Sequence, residues 1–336
     1  MKSRSVCEVV SKKRQSRARS APAFSMFALA ILCVLPNALH AQTKKPQRKT
    51  PPLASAKPVK LDCGGSIELR VSSGTPAQGT LLIAEIRSAK PLNDLSGKFT
   101  DRDISFWPAT GAAVPKGTNA YRALLGVDLE QSAGDYKLIV SGKSSDGKAL
   151  SCEAPITVRT GKFPTERLKV APNFVEPNPE QAAKAAEDQK KLRAIYATVT
   201  PEKLWTGAFG IPLDGVKTGG NFGKRRILNG KSNSPHSGVD LPSPTGTPVH
   251  ATQSGRVVLA EELYFAGNTV VIDHGLGVYT LYGHFSEIDA KVGDEVKAGD
   301  VIGKVGATGR VTGPHLHWGL EIDHARVNAM EIVGKQ

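Results

Sequence analysis

Gly313 to Leu320 reads GPHLHWGL, two histidines one residue apart inside an apolar run. On a β-strand successive side chains alternate between faces, so His315 and His317 share a face, roughly 6–7 Å apart along the backbone. Leu316 and Trp318 then share the opposite face, toward a core. Two imidazoles side by side suit a metal or a catalytic pair. For an isolated H-x-H a solvated polar face is the alternative, and the rest of the sequence decides between them.

His236 and Asp240 lie in PHSGVDLPSP, spaced H-x-x-x-D, where Pro235, Pro242, Pro244 and Gly238 oppose a helix. Fully extended, their α-carbons would stand about 13 Å apart, too far for one ion. A bend at Gly238 is therefore predicted. His284, in LYGHFSEI, follows the apolar run NTVVIDHGLGVYTLY and is read as ending a strand. A catalytic zinc takes three protein ligands and leaves a fourth position to water. His236, Asp240 and one histidine of the HLH pair supply two imidazoles and a carboxylate. The chain has no H-E-x-x-H, no G-x-S-x-G and no cysteine-based metal pair.

Residues 217–321 resemble the LytM/lysostaphin-type zinc metallopeptidases, a family of peptidoglycan endopeptidases. The resemblance runs through FGKRR, HSGVDLPSPTGTPVHAT, SGRVVLA, GNTVVIDHGLGVYTLYGHFSEI, VGDEVKAGDVIGKVGATG and GPHLHWGLE. It implies a two-sheet antiparallel β fold with a groove, and one zinc ion per chain held by His236, Asp240 and His317. It implies His284 and His315 as the catalytic histidines beside that metal. The activity it implies is hydrolysis of peptide cross-links in bacterial peptidoglycan through a zinc-activated water. D-Alanyl–diaminopimelate links and glycine bridges both remain open as the bond cut. The alternative is a non-enzymatic regulator of cell-wall amidases, or a wall-binding scaffold on the same fold. That reading requires a defective site, and all five positions are intact.

The remaining histidines and neighbours are read more plainly. His274 is a strand–turn residue, His250 and His324 have no assigned role, and Tyr282 packs rather than reacts. Arg225 and Arg226 either meet substrate carboxylates or decorate a turn near Asn229-Gly230.

The net charge of +13 suggests nucleic acid or membrane until its distribution is read. Residues 1–41 hold seven Lys/Arg and one acid, and residues 42–60 six Lys/Arg and no acid, leaving +1 for 61–336. Nucleic acid is set aside as a partner; peptidoglycan is the expected one. Residues 1–41 read as a signal peptide, with an apolar run from Ala23 to Pro36 too short for a membrane span. The expected location is periplasmic or secreted, with no stable membrane insertion after signal removal. Residues 42–60 read as a basic, Pro-rich linker.

Between Cys63 and Cys152 lie short strand-like runs such as SIELRV, TLLIAEI and YKLIVSG, separated by turn signals. They predict an immunoglobulin-like β-sandwich over 61–160, with the two cysteines paired in an oxidising compartment. A helical connector is expected over 161–200, N-capped by Asn178 with Gln181 in the reciprocal position. Its stripe of Leu192, Ile195 and Tyr196 packs by one edge, and the helix is placed to shade the groove of the next domain. The peptidase domain then spans 201–330, making the chain mainly β.

Overall fold

In Ala149–Val158 every second residue, from Leu150 through Val158, is buried, and those between are exposed. This period of two dictates a strand with one face on a core. The computed structural model describes residues 57–111, 114–232 and 234–336. The expected signal peptide, and the expected linker as far as residue 56, lie outside the described residues.

The first strands are β1 (Val59–Asp62), β2 (Ile67–Val71), β3 (Leu81–Ser88), β4 (Leu92–Phe99), β5 (Arg102–Ser105), β6 (Trp107–Ala109), β7 (Asn119–Gly126), β8 (Gly134–Ser144) and β9 (Ala149–Val158). They form a five-stranded sheet, β1-β2-β3-β7-β6, and a four-stranded sheet, β5-β4-β8-β9. The sheets share one apolar cluster that includes Leu69, Ile86, Phe99, Leu125 and Val140. Cys63, just past β1, is disulfide-bonded to Cys152 on β9, so the bridge ties one sheet to the other. The first strand begins at Val59, inside the segment expected to be linker.

The connector is more than helical. β10 (Thr165–Leu168) pairs in parallel with β11 (Arg225–Leu228), which turns through Asn229-Gly230 into β12 (Lys231–Ser232). Both turn residues have positive φ, as a tight hairpin of this kind requires. Between β10 and β11, α1 (Pro179–Tyr196) starts with the expected reciprocal capping of Asn178 and Gln181. Its Leu192, Ile195 and Tyr196 pack on Leu259, Leu263, Val271 and Tyr279.

The last part contains β13 (Gly238–Pro242), β14 (Pro248–His250), β15 (Gly255–Leu263), β16 (Gly267–Asp273), β17 (Val278–Ile288), β18 (Glu295–Val296), β19 (Val301–Val305), β20 (His315–Ile322) and β21 (Ala325–Val327). Their main path is β13-β20-β17-β16-β15-β18. The β14–β19 ribbon joins through β17, and β21 pairs with β20. One face of β20 is Leu316, Trp318, Leu320 and Ile322, all buried; the other carries the partly buried His315 and His317.

The two β-rich parts are not beads on a string. Leu81, Trp107 and Leu124 of the first belong to the same apolar cluster as Trp318 and Val327 of the last. Trp107 meets Trp205 edge-on, with ring centroids 5.2 Å apart. Arg326 donates from Nη2 and Nε to the two oxygens of Asp128, at 2.7 and 3.0 Å. Gly126 is packed so closely that a Cβ there would meet the Cβ of Ala325 at 2.5 Å. Among the described residues, no helix is long and apolar enough to cross a membrane.

Candidate metal centre

The centre is built on three neighbouring strands. Antiparallel register places Asp240 on β13 directly opposite His317 on β20, and His317 opposite Gly283 on β17. Directly opposed side chains lie on one face of a sheet, about 5 Å apart at Cβ. His236 precedes β13 and folds back over the same spot. Its Nε2 lies 2.9 Å from His317 Nδ1 and 3.1 Å from Asp240 Oδ1. His317 Nδ1 is 3.3 Å from the same oxygen.

Gly238 matters here for space rather than for a bend. Its backbone is outside the positive-φ region. A Cβ would meet the His317 ring at 2.6 Å and the Trp318 carbonyl oxygen at 2.8 Å. The bare α-carbon is what lets the imidazole of His317 lie across β13.

Neighbouring groups aim the ligand atoms. His236 Nδ1 donates to the carbonyl of Asn221 at 3.1 Å, which leaves the Nε2 lone pair facing the centre. The far oxygen of Asp240 accepts from Asn221 Nδ2 at 2.9 Å and Arg226 Nη2 at 3.1 Å, leaving Oδ1 free to face inward. Burial opposes the charge on Asp240, but its close neighbours His236 and His317 outweigh it and hold the carboxyl well below the usual range. Burial pushes His236 down to about 4, so the ring is neutral and able to bind a metal.

His284 reaches the site by a local irregularity. Strict alternation along β17 would send it to the core with Tyr282. Pairing with β16 slips at this point, between Asn268 and Val270, and His284 has φ +67. This bulge turns its ring into the groove, 4.8 Å from the ring of His315 and 5.7 Å from that of His317. Thus His284 sits inside a strand rather than at its end. Nδ1 of His284 donates to the carbonyl of Thr308, and Nδ1 of His315 to that of Gly313, both at 2.8 Å. Each ring therefore presents Nε2 to the groove. Burial, with the nearby His317 and His315, pushes His284 down to about 3.

The other candidates separate cleanly. His274 is fully buried, with Nδ1 2.8 Å from Ser254 O and Nε2 2.7 Å from Thr280 Oγ1. Tyr282 is also fully buried, and its hydroxyl accepts from the Thr252 backbone N–H at 3.1 Å. His250 bonds Gly299 away from the centre, and His324 is exposed in a turn. Arg226 lines the groove, whereas Arg225 is exposed. Reading the sequence missed Asn221 and Arg310, and neither stands in a pattern that announces a role. Gln189 and Leu192 of α1 form part of the groove wall with His236, His284 and His317.

Donor atoms of His236, Asp240 and His317 all lie within 4.8 Å of one another. Two imidazole nitrogens and one carboxylate oxygen converging on one point, with their outer atoms tied back, fit zinc in a three-ligand open site. Such a centre in a β-sheet groove has the make-up of one class, proteins with an open metal site.

The comparisons narrow the class. Residues 234–329 match the model of Peptidase family M23, and this region is an M23 peptidase domain. The chain is similar to Peptidoglycan DD-endopeptidase ShyA of Vibrio cholerae serotype O1, 46% identical over 112 residues covering 33% of this chain and 26% of that protein. It is similar to DD-carboxypeptidase/endopeptidase Mpg of Neisseria meningitidis serogroup B, 43% identical over 97 residues covering 29% and 22%. The chain thus spans about a quarter of the length of the curated relatives it matches. A solved structure of a putative peptidase M23 from Pseudomonas aeruginosa aligns with a TM-score of 0.57 at 27% identity. That alignment covers 78% of this chain and 96% of that one, so it extends beyond the matched domain.

Proposed function

We propose that this protein is an exported zinc metalloendopeptidase that hydrolyses peptide cross-links in bacterial peptidoglycan. The observation that carries the reading is convergence. Three side chains of metal-ligating type converge, and two further histidines, on β17 and β20, stand beside them, within residues that match Peptidase family M23. Relatives named DD-endopeptidases favour a bond between D-configured residues over a glycine bridge. The disulfide between Cys63 and Cys152 supports a location outside the reducing cytoplasm, periplasmic or secreted.

Zinc held by His236, Asp240 and His317 would supply Lewis acidity, polarising a carbonyl and making a water more acidic. The chain's own residues do the rest. His315 presents Nε2 to the groove 3.5 Å from Asp240 Oδ1, next to the ligand atoms. With its Nδ1 proton held by Gly313 O, it is a base of fixed orientation that takes a proton from the attacking water. Once protonated, Nε2 donates, either to the developing oxyanion or to the departing amine. His284, fixed in the same way by Thr308 O, adds a second imidazole beside that of His315. Gln189 and Leu192 of α1 line the groove beside these rings.

The test is a digest of purified sacculi and of defined cross-linked muropeptide dimers with the full chain, read by mass spectrometry. Gain of one water at the cross-link, abolished by chelation and restored by zinc, is the expected result. Intact dimers with zinc-loaded protein would overturn the reading.

A further inference from the structure

Two guanidinium groups stand together beside the metal ligands. Arg226 and Arg310 both line the cleft that contains Asn221, Asp240 and His315, and both line the one of about 410 Å³ that contains His236 and His284. Their counter-charge is incomplete: Glu166 lines the first cleft too, but its carboxylate accepts from Lys224 Nζ at 2.7 Å. Arg226 gives one N–H to Asp240, but its Nε is buried with no partner. Asp240 would itself help to hold the metal, which would share its charge. The Arg310 guanidinium lies over the Phe265 ring, 4.4 Å from the centroid, and forms no ion pair among the described residues. Burial and the nearby charge of Arg226 push Arg310 down to about 10.

Like charges held together in a half-buried cleft cost energy unless an anion joins them. The planar forks of arginine match a carboxylate best, through paired N–H···O bonds. We propose that Arg226 and Arg310 form a carboxylate-binding subsite, which selects cross-linked stem peptides bearing a free carboxylate next to the scissile bond. The subsite rests on the peptidase reading above and deepens it. Substrate docked there is anchored on the His315 side of the ligands, and its carboxylate supplies the missing counter-charge.

The test compares two synthetic cross-linked peptides with the same scissile bond, one with free stem carboxylates and one with these amidated. For the wild-type chain, kcat/KM falls about 10- to 100-fold on amidation, as loss of a charge-assisted pair implies. Arg310→Gln costs a similar factor on the free acid, and both changes together cost no more than one. Arg310→Lys recovers part of the loss. Equal wild-type rates on the two peptides, or losses that multiply, overturn the proposal. Calorimetric binding of an uncross-linked stem peptide, as free acid and as amide, gives a readout without hydrolysis. If neither peptide is cleaved, the peptidase reading falls, and tighter binding of the free acid still supports the subsite while equal binding rejects it. Should Arg310→Gln fail to fold, the wild-type comparison decides alone.

Discussion

Asp240 on β13 and His317 on β20 are direct partners in an antiparallel pair, and a carboxylate oxygen meets an imidazole nitrogen at 3.3 Å. Two of the three candidate metal ligands are thus set by sheet register. His236 is added by one short segment that the same strand continues. We expect one zinc per chain by elemental analysis, lost in His236→Ala, Asp240→Ala and His317→Ala, because an open three-ligand site cannot spare a ligand. Full zinc content in all three variants would refute the assignment.

Gly238→Ala tests the register argument from the other side. The added methyl would press on the His317 ring and on the Trp318 carbonyl, each closer than 3 Å. The ring can swing but the backbone cannot, so His317 leaves its ligand position. Zinc affinity should fall by at least about 10-fold, in the range that perturbed outer-shell support produces. Competition with a fluorescent chelator measures it, and unchanged affinity would show that β13 gives way instead.

How far could the sequence be read? The HLH pair needed only the period of two, and His315 and His317 do share a face. Asn178 and Gln181 cap α1 as their spacing predicts. His284 was legible as a groove residue only through family resemblance, because the bulge that turns it there leaves no mark in the alternation of β17. β4 was invisible for a similar reason: polar Asn93 and Asp94, with a register slip and positive φ at Asp94, hide its pairing. β10 is four residues of TERL, half of them exposed, and its strand character comes from its partner β11. Arg310 and Asn221 act through tertiary placement alone.

The disulfide between Cys63 and Cys152 closes a segment with a sequence separation of 89. Loop entropy in the unfolded chain makes such a bridge worth roughly 4–5 kcal/mol. Cys152→Ser should lower stability by that order in denaturant titration. Because Leu81, Trp107 and Leu124 share a core with the peptidase strands, the loss should appear in the unfolding of the whole described unit. A separate early transition, with the zinc site unaffected, would show two independent modules.

Asp323, in the turn between β20 and β21, carries a buried carboxyl that burial pushes up to about 8 despite the pull of Arg102. An acid raised in the folded state favours folding fully only below its unfolded value near 4. Its contribution is lost as pH climbs through 8. Asp323→Asn removes the titration, and asparagine tolerates the positive φ found there. The variant should gain thermal stability at pH 8 and little at pH 5. Parallel pH profiles for the two proteins would exclude this carboxyl as the cause.

His315 and His317 stand one pleat apart on one face, and we assign them different work. His317 Nδ1 is among the converging ligand atoms, so His317→Ala should lose zinc and activity together. His315 has its Nδ1 tied to Gly313 O and its Nε2 directed at the groove, outside the ligand trio. His315→Ala should therefore keep zinc within a modest factor, while kcat falls by about 100-fold or more, the usual share of a positioned acid–base group. His284→Ala should resemble it, since its ring contacts His315, is held by Thr308 O and lies outside the converging trio of His236, Asp240 and His317. If the three histidines serve only to hold the fold, all three variants should shift the unfolding midpoint and none should separate metal content from rate. Zinc analysis and initial rates on the folded variants distinguish the cases. Loss of zinc from His315→Ala with retention in His317→Ala would reverse the two roles.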